Sequence, residues 1–178
     1  MERVCKLFCA VICKKDYVEI AKEELQKEFG EIQFESEIFN FSDYTDYYED
    51  EMGKPLQKFW ISFKGLFKMD ANSLISYKKR AEKIEDKYRE NGKRKINIDP
   101  GIITLSKLML TTHKNYSHRV YLGNDVFVEI TLIFEKGTFC PLRWTYKDYI
   151  DHIPVFNKMR EIFKKELREE GVKSEYGI

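Results

Sequence analysis

V-C-K-L-F-C-A-V-I-C, residues 4–13, is apolar at almost every position, so Lys6–Cys13 places apolar side chains on both faces of an extended chain. That is the pattern of a central strand covered on both sides. Cys5, Cys9 and Cys13 recur every fourth residue, about 13 Å apart at ~3.3 Å per residue, which excludes a disulfide or a shared metal among them. Together with Cys140 they read as reduced thiols, the strand cysteines acting as small hydrophobes. Outward from this strand, Asp16 with Glu19 makes a capping-box-like start, and Val18, Ala21, Leu25 and Phe29 recur at helical spacing before Gly30, so a helix is predicted over 16–29. Ile32, Phe34, Ile38 and Phe39 mark a second strand, and Phe59–Phe67 a third. Asp70 caps a helix with the stripe Leu74, Tyr77, Ala81, Ile84 and Tyr88, which Gly92 ends. Lys95–Asp99 is a fourth strand.

The order strand, helix, strand, strand, helix, strand is the split βαβ pattern of ferredoxin-like folds, with both helices expected on one face of the sheet. Beyond Pro100-Gly101 the pattern changes. His118–Leu122, Val126–Glu135 and Thr138–Trp144 read as an antiparallel meander turning at 123–125 and 136–137. In the middle strand Val126, Val128, Ile130, Leu132 and Phe134 alternate with Phe127, Glu129, Thr131 and Ile133, and the first set is expected in the core. A last amphipathic helix follows Pro154, with the stripe Phe156, Met159, Phe163 and Leu167 and a stop at Gly171. The expectation is a single α+β domain over 1–178: a ferredoxin-like βαββαβ half (1–101) extended by an antiparallel β meander and a C-terminal helix (102–178).

Composition bounds the rest. The 178 residues carry 31 Lys and Arg against 30 Asp and Glu, with 43% hydrophobic and 15% aromatic residues, as a folded chain with a real core would. A net charge of +1 argues against whole-surface nucleic-acid binding, but the charges are segregated. Glu31–Glu51 holds eight acidic residues and no Lys or Arg, whereas Lys78–Lys95 holds nine basic against four acidic. No apolar run approaches the ~20 residues of a membrane helix, and Met1–Cys13 lacks the features of a signal peptide, so a cytoplasmic location without membrane contact is expected.

Three segments hold residues suited to chemistry. N-I-D-P-G, residues 97–101, reads as a strand end running into a tight Asp-Pro-Gly turn, which accounts for three of the five residues. Asn97 and Asp99 share a face beside Arg94 and are candidates for ligand or metal contact. In the meander, an even loop at 123–125 places His118 on the face of Glu129 and Thr131, and an odd one places Arg119 there. Either faces a cation or imidazole to a carboxylate; the plain alternative is a surface salt bridge. The segment around Lys107, His113, Lys114, His118 and Arg119 has basic and hydroxyl groups without an acid, a set that fits phosphate. Its expected counterweight is the acidic loop, whose Asp43, Asp46, Glu49 and Glu51 are candidates to hold Mg²⁺, to pair with the basic stretch, or to meet a protein partner across 43–51. Trp144 and Tyr146 in W-T-Y-K-D-Y offer faces for stacking a base.

The reading that follows is a pocket for a phosphate-bearing ligand, a nucleotide or nucleic-acid end, with metal-assisted phosphoryl transfer or hydrolysis as its chemistry. Arg94, Lys107, His118, Arg119 and Arg143 would hold phosphate, with Asn97 and Thr131 as further ligand contacts, Trp144 and Tyr146 stacking, and Asp99 and Glu129 serving a Mg²⁺ ion or as general base. A non-catalytic RNA- or protein-binding module is the alternative. P-loop, G-x-G-x-x-G, H-E-x-x-H and G-x-S-x-G signatures are absent.

The assembled motifs K-L-F-C (6–9), D-Y-Y-E-D-E-M-G (46–53), N-I-D-P-G (97–101), H-R-V-Y-L (118–122), E-I-T-L (129–132) and W-T-Y-K-D-Y (144–149) span nearly the whole chain. As a set they resemble an uncharacterised prokaryotic family, a domain of unknown function whose members are sometimes automatically labelled GTP-binding proteins. Where the family pattern has a proline in the last motif, this chain has Lys147. The resemblance implies kinship and leaves the activity open.

Overall fold

The computed structural model describes residues 3–173. It is an α+β architecture: one large antiparallel sheet with a few helices. β1 (Val4–Cys13) leads through a short 3₁₀ turn at Lys15–Tyr17 into α1 (Val18–Phe29). The expected second strand is two pieces, β2 (Ile32–Glu35) and β3 (Phe39–Asn40), before a loop that carries α2 (Glu49–Met52). The expected third strand is also two: β4 (Gln57–Phe63) and β5 (Phe67–Lys68), divided at Gly65, whose φ of +99° turns the chain. α3 (Ala71–Lys87) is capped as expected, the Asp70 carboxylate accepting the Ser73 N–H at 2.9 Å. It stops at Lys87, one turn before Gly92, which instead closes the small Glu90–Lys93 bridge.

Two further differences decide where the site lies. The strand expected to end at Asp99 continues as β6 (Ile96–Ile103), straight through Asp-Pro-Gly, and the basic segment after it is a strand in its own right, β7 (Lys107–Thr112). β8 (Val120–Gly123), β9 (Val126–Glu135) and β10 (Thr138–Pro141) form the meander, shorter at its outer ends than expected. α4 (Lys147–Asp151) and α5 (Ile153–Glu169), with Pro154 in its first turn, complete the described chain.

The strands run in the order β10-β9-β7-β6-β1-β4-β2, with β3 beside β4, β5 beside β1 and β8 beside β9. β1 is central, and Leu7 through Val11 are wholly buried. Its odd-numbered residues Leu7, Cys9 and Val11 pack with Leu25, Tyr77 and Ile84 of α1 and α3 on one face. Phe8 and Ala10 pack with Tyr149, Phe156 and Met159 of α4 and α5 on the other. The apolar character of residues 4–13 is thus explained by helices on both sides, α1 and α3 sharing one layer. Among the described residues no helix is long and apolar enough to cross a membrane.

β9 departs from simple alternation. Opposite β7, Leu132 pairs with Leu108 but Ile130 pairs with Met109, so Thr131 is an extra residue. The bulge reverses the parity: Leu132 lies on the α5 face, and so does Glu129, opposite Leu110. Val128, expected to share the face of Leu132, packs instead toward α1 and α3, and Ile130 is 38% exposed. Glu129 and Thr131 are buried where an unbroken alternation would have left them outside.

Candidate functional site

The site begins where the β6–β7 ladder stops. β7 pairs with β6 at Gly101, Ile102 and Ile103 only, although both strands extend further. Pro100 supplies the reason. The Ile98 N–H points away from β1, donating to the Glu85 carboxylate of α3 at 2.7 Å. Pro100, two residues on, has the same orientation, so the N–H that proline lacks is the one β7 would have needed. The Pro100 carbonyl on that side accepts the Thr111 hydroxyl at 2.8 Å instead. Beyond this point the strands part.

Into the gap project Asn97 and Asp99, on the face of Ala10 and Ile12 that they oppose in β1. Lys78, from α3 on the opposite layer, reaches Asp99 at 3.3 Å, so this contact runs through the opened sheet. Around the gap lies a cavity of about 560 Å³, walled by β6 and β7, α3, the loop 41–48, Arg94, Arg119, Glu129 and the start of α4. Besides Lys114 and Lys147 at its edge, four cations enter it from separate elements, each with its own carboxylate. Lys58 meets Asp148 at 2.5 Å, Lys78 meets Asp99, and Arg119 meets Glu129 at 2.7 Å. Arg94 grips Glu51 with Nε and Nη2, both at 2.8 Å, and donates through Nη1 to Asn97 at 2.6 Å; Asn97 passes its amide on to Asp99 at 2.8 Å. Tyr44, Tyr47, Tyr48, Tyr116, Tyr146 and Tyr149 also line the space.

The charges set one another's proton affinities. Burial pushes the Asp99 carboxyl up, but Lys78, Lys58 and the Asn97 amide outweigh it and hold it below the ordinary aspartate value. The Arg94 guanidinium holds Glu51 down to about 2 against the opposing effect of burial, and Glu51 in turn raises Arg94. Glu85 goes the other way, pushed up by burial to about 7, with Lys78 and the Ile98 N–H opposing and Asp99 adding to the rise. Burial also raises the Tyr48 and Tyr146 hydroxyls.

Both registers considered for the meander contribute to the Glu129 cluster. Glu129, 2% exposed, accepts from Arg119 Nε and the Thr131 hydroxyl and lies 3.1 Å from His118 Nε2. Arg119 also donates to the Tyr146 hydroxyl and the Lys114 carbonyl, both at 2.9 Å. The His118 ring stacks with Trp144, centroids 4.9 Å apart and 14° from parallel, and with Tyr116 at 6.1 Å; Trp144 Nε1 is tied to the Ile130 carbonyl at 2.7 Å.

Of the residues singled out in the sequence, Arg94, Asn97, Asp99, Arg119, Glu129 and Tyr146 therefore share the cavity wall. His118, Thr131 and Trp144 stand behind it, as partners of Glu129 or of one another. Lys107 lies at the far end of β7, opposite Ile133, and Arg143 is exposed before α4; neither reaches the cavity. Lys58, Lys78, Glu85 and Asp148 were not singled out. Lys58 carried a readable signal, since a charge at the head of the apolar run F-W-I-S-F must find a partner if buried. The acidic loop meets a different counterweight from the one expected: Glu51 pairs with Arg94 and lies 3.9 Å from Arg89, whereas the 107–119 stretch touches the loop through Lys114 and the Tyr47 hydroxyl at 2.8 Å. Among the described residues no three His, Cys, Asp or Glu side chains gather as a metal site.

No curated protein and no solved structure matches the chain. A family model does, over residues 3–163, and the chain belongs to that family, described as Domain of unknown function (DUF4416).

Proposed function

We propose that the cavity binds a phosphate-bearing ligand, a nucleotide or a nucleic-acid end, held between a ferredoxin-like half and the meander with its C-terminal helices. The observation that carries this reading is the convergence of Lys58, Lys78, Arg94 and Arg119 on one concavity among six tyrosines. Ion pairs withdrawn from water are seldom worth their desolvation to stability alone, so two buried and two half-buried pairs around one hollow argue for a ligand. The paired carboxylates fix the cations in place before the ligand arrives, and a volume of about 560 Å³ lies in the usual range for small-molecule sites. Tyr47, Tyr116 and Tyr146 are exposed at the wall and supply faces for a planar ring. In this reading Asp99 and Glu129 act as orienting partners of the cations rather than as Mg²⁺ ligands, because their oxygens already accept from Lys78 and Asn97 and from Arg119 and Thr131.

Isothermal titration with nucleoside mono-, di- and triphosphates, with and without Mg²⁺, tests the reading. At least one nucleotide is expected to bind, and Lys114→Ala to weaken it roughly tenfold, about 1.4 kcal/mol. Absence of heat with every nucleotide would remove it. The RNA-module alternative has less support: a sheet-type RNA platform needs an open face, and helices cover both faces of β1.

A further inference from the structure

Five carboxylates line the cavity, and four have a cation in contact. Asp99 has Lys78, Glu129 has Arg119, Asp148 has Lys58, and Glu82 has Lys79 and His113. Glu85 differs. It sits on α3 at 6% exposure, and one oxygen accepts the Ile98 N–H of the opened strand; the other makes neither hydrogen bond nor ion pair among the described residues. A buried carboxylate left in that state is unfavourable, and the favourable solution is to carry a proton.

We infer that Glu85 is an anion-contacting residue of the cavity that meets its ligand in the protonated form, donating its own O–H to an oxygen of the bound anion. This rests on the anion-pocket reading above and adds the recognising group. The proton comes from solvent and stays on the free Glu85 oxygen, and no bond of the ligand is broken. The charged groups that act on Glu85 are Lys78, Asp99 and Arg94, and the cavity wall it shares also carries Lys58, Arg119, Glu82, Glu129, Asp148, Tyr48 and His113. Burial favours the neutral acid most, and Asp99 adds to it; Lys78, the Ile98 N–H and Arg94 favour the charged carboxylate, and the outcome is a group pushed up to about 7. An anion beside it favours the acid further, so by reciprocity anion binding takes up a proton.

Sulfate is the suitable probe because its charge is constant across the relevant range, and cavity occupancy is read from amide and side-chain NMR shifts. The wild-type protein is expected to bind sulfate about tenfold more tightly at about pH 6 than at about pH 8, following the protonated fraction of Glu85. Glu85→Gln keeps the acceptor for Ile98 and donates N–H permanently. It is expected to bind with little pH dependence, and at about pH 8 roughly tenfold more tightly than wild type. Binding in the cavity with the same pH dependence in both proteins would assign the titration to another group and overturn the inference, leaving the pocket intact. Cavity binding with no pH dependence in wild type would overturn it likewise. If sulfate moves no cavity resonance in either protein at either pH, the anion-pocket reading fails and this inference with it.

Discussion

A methyl group added at Gly101 would lie 2.4 Å from the Phe8 ring and 2.8 Å from Leu110, both in the packed layer beneath α5. Glycine there lets β6 close against its neighbours immediately after Pro100 has opened them. Gly101→Ala is expected to lower stability by roughly 1–3 kcal/mol, seen as a reduced urea midpoint with unchanged slope. At Glu51 the sign of the pH effect follows from its lowered value. The stabilisation it brings is fully present above the ordinary carboxylate value of about 4.3 and is lost as pH falls through about 2, so acid unfolding should be shallower over that window in Glu51→Gln. Burial raises the thiols of Cys5, Cys9 and Cys13, the last to about 12, and all three are inaccessible. Alkylation of the native protein should therefore reach Cys140 and spare those three until unfolding, checked by peptide mass mapping. Asn97 and Asp99 were legible because polar residues alternating within a strand call for partners. The Asp-Pro-Gly that follows was not, because the same three residues that favour a tight turn also serve to interrupt a ladder, and only the pairing of the flanking strands distinguishes the two.

At the scale of elements, α5 is fastened to the central strand by a buried ion pair in addition to the packing of Phe8 against Phe156. Lys6, wholly buried in β1, meets Glu166 at 2.7 Å and is also bonded to Gln33, while the second Glu166 oxygen accepts the Gly65 N–H at 2.9 Å. Lys6→Met leaves a buried carboxylate without its cation and should cost about 3–5 kcal/mol, measured by thermal or denaturant unfolding. α1, α3, α5 and β1 were readable from periodicity, since each has one strong pattern. β7 was not: Lys107, His113 and Lys114 in and after it stood out as a phosphate-binding set, while Leu108 and Leu110 alone are too few to announce a strand. The bulge at Thr131 left no trace in a sequence that alternates cleanly, because the extra residue is decided by the partner strand. It is nevertheless what turns Glu129 inward to meet Arg119.

Across the whole molecule, the segregated charges of the sequence meet face to face. The acidic 43–51 loop closes on the basic end of α3 and the turn after it through Glu51, Arg89 and Arg94, with the Lys93 ammonium 3.3 Å from the Asp50 carbonyl. Segregation was legible and its address was not, since two basic stretches compete for one acidic loop and only the strand order decides between them. Burial predicts a matching gradient of local stability. Amides of β1, β4 and β6 should exchange slowest with solvent, and those of the loop 41–53 fastest among the cavity walls, as read by hydrogen exchange. On the proposed function, a bound nucleotide should slow the loop selectively.

The parting of β6 from β7 has a mechanical corollary. The ladder between them is stitched only at Gly101–Ile103, with the Thr111 hydroxyl on the Pro100 carbonyl and His113 on Glu82 as ties beyond it, so β7 through β10 stand to β6, β1, β4 and β2 as scissor blades stand about a pivot. Whatever bridges Lys78 and Arg94 on one blade to Arg119 on the other clasps them together, so an occupant would stiffen the protein far from where it sits.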